Sequence, residues 1–193
     1  MWKLAALAAG TVMAIAIARA GGNTSAPAEA PPGDPRVVEL LSGVDFIPTR
    51  ATLDAALGAG AESDLIAIAR GIAVEAADPG VRIRAYRALS LYPGPAIESE
   101  LRAAILEHAA GAEVEMLYLR AAVDSLVELA GPDAVDDLVP LLDHASRDVR
   151  ASAAFGLGDT GSDDADPPLR ARLSVEQVGQ VRLAIAEALR ELE

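Results

Sequence analysis

The sequence predicts an all-α chain folded as an α-solenoid of about five helix pairs. Three observations lead there: an alanine-rich, aromatic-poor composition, an apolar pattern of helical period, and the recurrence of that pattern at near-constant spacing. Hydrophobic residues make up 52% of the 193 and aromatic residues only 3%. Alanine is the best helix former, whereas strands favour β-branched and aromatic side chains. A core of small aliphatic side chains also suits helices that lie close together.

The repeat is explicit in VRIRAYRAL. Val81, Arg82, Ala85, Ala88 and Leu89 set offsets 0, +1, +4, +7 and +8. The same offsets recur at Val149, Arg150, Ala153, Gly156 and Leu157, and at Val181, Arg182, Ile185, Ala188 and Leu189. A degenerate copy is Tyr118, Leu119, Ala122, Ser125 and Leu126, and a weaker first copy is Thr49, Arg50, Leu53, Ala56 and Leu57. Copies starting at 49, 81, 118, 149 and 181 are 32, 37, 31 and 32 residues apart. Offsets 0, 4, 7 and 8 share one side of a helix, so each copy is an amphipathic first helix. A two-helix unit at such a period buries its apolar faces only by stacking on its neighbours.

Taken in order, the chain opens with an export signal. Met1 to Lys3 carries one positive charge, Leu4 to Ile17 is an almost wholly apolar run of 14 residues, and Ala18-Arg19-Ala20 offers a small-residue cleavage site. That three-part layout is a secretory signal peptide, and the run falls short of the ~20 residues a membrane-spanning helix needs. The chain touches a membrane only if this segment stays uncleaved. Residues 21–35 (GGNTSAPAEAPPGDP) read as a flexible linker, leaving 36–193 as the repeat domain. Second helices are expected at Glu62–Ala76, Ala96–Ala109 and Asp133–Asp143. Asp78-Pro79-Gly80, Pro93-Gly94-Pro95 and Gly131-Pro132-Asp133 separate the elements. The last copy ends with acids and arginines on its outer side, as a capping helix does, and a monomer is expected.

Residues 134–161 (AVDDLVPLLDHASRDVRASAAFGLGDTG) resemble a HEAT repeat of the short phycobilin-lyase-like type. The matching parts are Leu-Val-Pro-Leu-Leu at 138–142, centred on Pro140, the acidic turn, then Asp-Val-Arg and an alanine-rich helix. DPGVRIRAYRALSLYP at 78–93 repeats the pattern. The resemblance implies a right-handed superhelix of about five HEAT-like helix pairs. It also implies that Arg82, Arg150 and Arg182 are structural repeat positions, with Asp78 and Asp148 as their acidic partners. A ligand-binding arginine ladder is the alternative.

Candidate chemistry is sparse. His108 and His144 lie 36 residues apart, one repeat, beside Glu107 and Asp143. They suggest either paired metal ligands or polar residues favoured at helix C-termini. The HEAT-like deoxyhypusine hydroxylases use His-Glu pairs around iron, and no His-Glu dipeptide occurs here. Gly156, Gly158 and Gly161 satisfy G-x-G-x-x-G, but the stretch follows a helix and not a strand, as a helix C-cap would. Asp159, Asp163, Asp164 and Asp166 could gather calcium but lack EF-hand spacing. No cysteine is present, which excludes disulfides and thiol chemistry.

A formal charge of −13 repels nucleic acid and favours basic protein or peptide partners. The expected function is a non-catalytic, exported interaction scaffold without a cofactor, in the periplasm or on the surface of a bacterium. A metal-dependent oxidoreductase or a bilin-lyase-like protein is the alternative.

Overall fold

A computed structural model of the chain describes residues 35–43, 48–72, 78–110 and 113–193. The expected signal peptide, and the linker up to residue 34, lie outside the described residues. The helices are α1 (Pro35–Leu41), α2 (Arg50–Leu57), α3 (Ala61–Ala69), α4 (Pro79–Leu89), α5 (Pro95–Ala109), α6 (Glu113–Ala130), α7 (Val135–Leu138), α8 (Arg147–Asp159), α9 (Asp166–Val175) and α10 (Gly179–Glu191). Among the described residues there is no strand, and no helix is long and apolar enough to cross a membrane.

The molecule is an all-α solenoid whose first helices stand in a row: α4 packs on α6, α6 on α8 and α8 on α10. The second helices α3, α5, α7 and α9 form the other layer. Each packs most extensively on the first helix that follows it, α3 on α4 and α5 on α6. The register explains the core. Offset 0 places Val81, Tyr118, Val149 and Val181 in the interior, and offset +4 does the same for Ala85, Ala122, Ala153 and Ile185. Leu89, Leu126, Leu157 and Leu189 at offset +8 complete the buried stripe. The copy at 49 falls on α2, which packs chiefly against α1. The Tyr92 hydroxyl donates to Asp54 at 2.9 Å and the Arg50 guanidinium lies 4.8 Å from the Tyr92 ring, tying α2 to the end of α4.

Offset +7 is small because each first helix rests that residue on its predecessor, against offsets +5 and +9. Gly156 meets Val123 and Val127 of α6, Ala188 meets Gly158 of α8, and Ser125 donates a 2.9 Å hydrogen bond to the Tyr86 carbonyl of α4.

Three elements differ from expectation. The second helix expected at 62–76 stops at Ala69, and positions 73–76 lie outside the described residues. Gly71, at φ +72°, ends α3 in a Schellman arrangement in which the Ile72 N–H donates to the Ala67 carbonyl. The helix expected at 133–143 is broken into a 3-10 turn (Gly131–Ala134), the single turn α7, and a second 3-10 stretch (Val139–Asp143). Pro140 has no N–H to donate four residues back, so the α-helical ladder cannot continue through it. Finally, α9 is a second helix at a place where none was expected. Its prolines, Pro167 and Pro168, sit in the first turn, where a missing N–H costs nothing.

Candidate docking face

The arginines at offset +1 are committed to backbone. Arg82 donates through Nε to the carbonyl of Ala69, the last residue of α3, at 3.0 Å, and its guanidinium lies 4.1 Å from the Tyr118 ring centroid. Arg150 Nη1 donates to the carbonyls of His144 and Ala145, both at 2.9 Å, just past the 139–143 stretch. Arg182 donates to the carbonyls of Leu173 and Glu176, at the end of α9. Each arginine thus caps the C-terminus of the second helix packed against it, where carbonyls lack intrahelical partners. At α6 the place is taken by Leu119, which is fully buried.

Asp78 and Asp148, expected as the arginines' partners, do other work. Asp78 accepts from the Gly80 N–H at 2.7 Å as the N-cap of α4, and Asp148 lies 3.7 Å from Arg147. A carboxylate two or four residues before the arginine sits at the helix start, while the guanidinium reaches across to the neighbouring helix end. The acid that does hold Arg150 is Glu176, unforeseen in the sequence. Its two oxygens accept from Arg150 Nε and Nη2 at 2.8 and 3.1 Å. They also accept from Arg172 and from the N–H groups of Gln177 and Val178, at the start of α10. Hydrogen bonding from Arg150 above all holds the Glu176 carboxyl down to about 2, against an ordinary value of 4.5.

His108 and His144 are not equivalent. His108 is buried in the core, with Nε2 2.8 Å from the Tyr86 hydroxyl and Nδ1 2.5 Å from a Glu115 carboxylate oxygen. Burial pushes the Tyr86 phenol up to about 12. An imidazole with its proton on Nδ1 donates to Glu115 and accepts from the Tyr86 hydroxyl. Tyr86→Phe leaves Nε2 buried without a donor and is expected to cost about 1–3 kcal/mol, measurable by urea denaturation at constant m-value. His144 instead accepts from the Ser146 N–H at 3.1 Å. Among the described residues, no three His, Cys, Asp or Glu side chains cluster as a metal site would require.

The aspartates of 159–166 also diverge. Asp166 accepts from Arg170 at 2.7 Å, Asp163 and Asp164 are exposed in a 3-10 turn, and Asp159 is exposed at the end of α8.

With the interior offsets filled, offsets −1, +2, +3 and +6 form the outward face of the first-helix row. Leu117 of α6 and Leu183 of α10 are 50% and 65% exposed there, though neither is needed to close the core. Between α6 and α8 lies a groove of about 180 Å³ lined by Met116, Leu117, Arg120, Ala151, Ser152 and Phe155. It exists because Ala151 and Ser152 are too small to fill it. One helical turn farther along the same two helices stand Asp124 on α6 and Asp159 on α8, and Glu128 follows Asp124 by one more turn. Partial burial, then the nearby Glu191 and Asp124, raise the Asp159 carboxyl; partial burial also raises Asp124.

This arrangement of capped, row-stacked helix pairs can be compared with known families. Residues 115–190 match the family model for HEAT repeats. That stretch runs from the start of α6 to the end of α10 and so contains the groove, the Arg150–Glu176 pair and the close contact of α8 with α10. HEAT repeats in general serve as protein-interaction scaffolds. No curated protein matches the chain.

Proposed function

We propose that this chain is a non-catalytic protein-interaction scaffold that works outside the cytoplasm, and that its units are HEAT repeats of the short phycobilin-lyase-like type. The observation that carries the scaffold reading is the exposure of Leu117 and Leu183 on the face of a row whose core is already closed without them. Solenoids bind through such continuous surfaces and require no catalytic side chains. The −13 charge supports a basic protein or peptide as partner. Asp-Val-Arg at 148–150 after Leu-Val-Pro-Leu-Leu supports the repeat type. The apolar run of residues 4–17 followed by Ala18-Arg19-Ala20 supports export to a bacterial periplasm or cell surface.

Two measurements test this. Fractionation of expressing cells should place the protein outside the cytoplasm, with a mature N-terminus at Gly21; a cytoplasmic chain still beginning at Met1 refutes the export reading. A photo-cross-linking amino acid placed in turn at Leu106, Leu117, Val175 and Leu183, all exposed, should trap a protein partner from at least one position. Silence at all four sinks the scaffold reading.

A further inference from the structure

The scaffold reading leaves open which surface binds and what it binds; the following inference rests on that reading and specifies both. We propose that the groove between α6 and α8 receives a peptide segment of another protein in which one large apolar side chain is followed, about one helical turn on, by arginine or lysine.

The geometry divides the site into two parts. The first is the groove itself, where the half-exposed Leu117, Met116 and Phe155 offer apolar surface between the polar Arg120, Asp148, Ser152 and Gln180. Leu117 is outside the core cluster and Phe155 packs on its edge. An apolar side chain entering between them covers surface that now faces water, which is favourable in proportion to area. The second is the acidic end. Asp124 and Glu128 follow Arg120 on α6, and Asp159 follows Phe155 by four residues on α8, a rise of about 6 Å. Asp124 has only a loose pairing, 4.0 Å from Arg87, with both side chains about half exposed. Asp159 is exposed at the end of α8, with the Glu191 and Asp124 carboxylates near enough to repel its charge. A cation placed there relieves that repulsion, whereas a carboxylate adds to it, so charge selects the sequence that follows the anchor.

The other surfaces offer less. In the space bounded by Arg50, Asp54, Glu62 and Tyr92, the Asp54 carboxylate is already bonded to Arg50 and Tyr92. His108 and Tyr86 are buried, and the partly exposed Glu115 is already bonded to His108. On the second-helix layer, Arg70–Glu100, Arg102–Asp137 and Arg172–Asp143 pair across each junction, so its charges are largely spent internally.

The test uses the purified full chain and four fluorescent dodecapeptides on an Ala/Gly background. The first carries Phe with two arginines one turn later; the others replace Phe by Ala, the arginines by Glu, or both. Fluorescence polarisation should show the first binding at least about tenfold more tightly than each of the others, with weakening at about 0.5 M salt. Leu117→Glu and the double charge reversal Asp124→Lys/Asp159→Lys lie on exposed positions. Each should weaken the first peptide about tenfold while leaving the thermal melt unchanged. Equal binding of all four peptides, no binding of any, or variants that bind like the parent would overturn the inference. Cross-links from Leu106 or Val175 alone, together with peptide failure, would leave the scaffold reading standing and place its surface on the other layer.

Discussion

Glu176→Ala is expected to destabilise the protein by roughly 3–5 kcal/mol at neutral pH, the largest loss from any single charged position. The replacement leaves Arg150, whose side chain is only 9% exposed, without its bidentate partner. It also removes the acceptor for the N–H groups of Gln177 and Val178 at the start of α10 and for Arg172 of α9. One carboxylate thus joins α8, α9 and α10. Because a solenoid is stabilised through nearest-neighbour interfaces, the loss should appear first as increased hydrogen exchange in α9 and α10.

Two controls separate the pair from its burial. Arg150→Met with Glu176→Leu, which removes both charges, should recover most of the stability, because a buried ion pair replaced by apolar groups is often neutral. The pH profile is the second. The carboxyl is depressed in the folded state, from 4.5 to about 2, so its contribution is complete above the unfolded value and is lost as pH falls from about 5 toward 2. Urea denaturation should therefore show the parent and Glu176→Ala converging as the solution is acidified through that window. A gap that stays constant from pH 7 to pH 2.5 would contradict the assignment.

The features legible in the sequence were those written in periodic residue identity. Offsets 0, +4, +7 and +8 are visible because burial repeats with the helix, and all four prove to be interior in α4, α6, α8 and α10. The arginine partners were not legible, because a backbone carbonyl carries no residue identity. Arg82, Arg150 and Arg182 recur in register, but what they cap is a position in space. Glu176 was invisible for a related reason: it stands 26 residues from Arg150 and belongs to no repeated offset. The helix α9 escaped notice because Leu169 is its one buried side chain, too little to set a period. Pro140 was recognised as a repeat position, yet its consequence, the switch to 3-10 geometry, requires counting the missing N–H. The docking face was hidden too, since Leu117 and Leu183 occupy offsets whose exposure is known only once the inner face is fixed.

Helix propensity and packing oppose each other at Gly158, and the sign of Gly158→Ala decides between them. Alanine is favoured over glycine within a helix by about 1 kcal/mol, so propensity alone predicts stabilisation. The close approach of α10 predicts the reverse: a Cβ on Gly158 would stand 2.7 Å from the Ala188 Cα and 2.9 Å from its Cβ. Since the nearest obstacle is backbone, relief requires moving α10 away from α8 along their whole contact. Overpacking of this kind costs typically 1–3 kcal/mol, which outweighs the propensity gain of about 1 kcal/mol and leaves a net loss of up to about 2 kcal/mol. At Gly156 the added Cβ would meet side-chain methyls, Val123 Cγ1 at 2.5 Å and Leu138 Cδ1 at 3.0 Å. Rotamers there can partly adjust, so Gly156→Ala should cost less than Gly158→Ala. Gly179→Ala supplies the opposite sign, because nothing stands within 4 Å of its Cβ position at the start of α10. The order of stability in thermal denaturation should be Gly179→Ala at or above the parent, then Gly156→Ala, then Gly158→Ala. If Gly158→Ala instead melts above the parent, the α8–α10 contact is looser than 2.7 Å implies. The G-x-G pair would then owe its place to something other than the close approach of stacked helices.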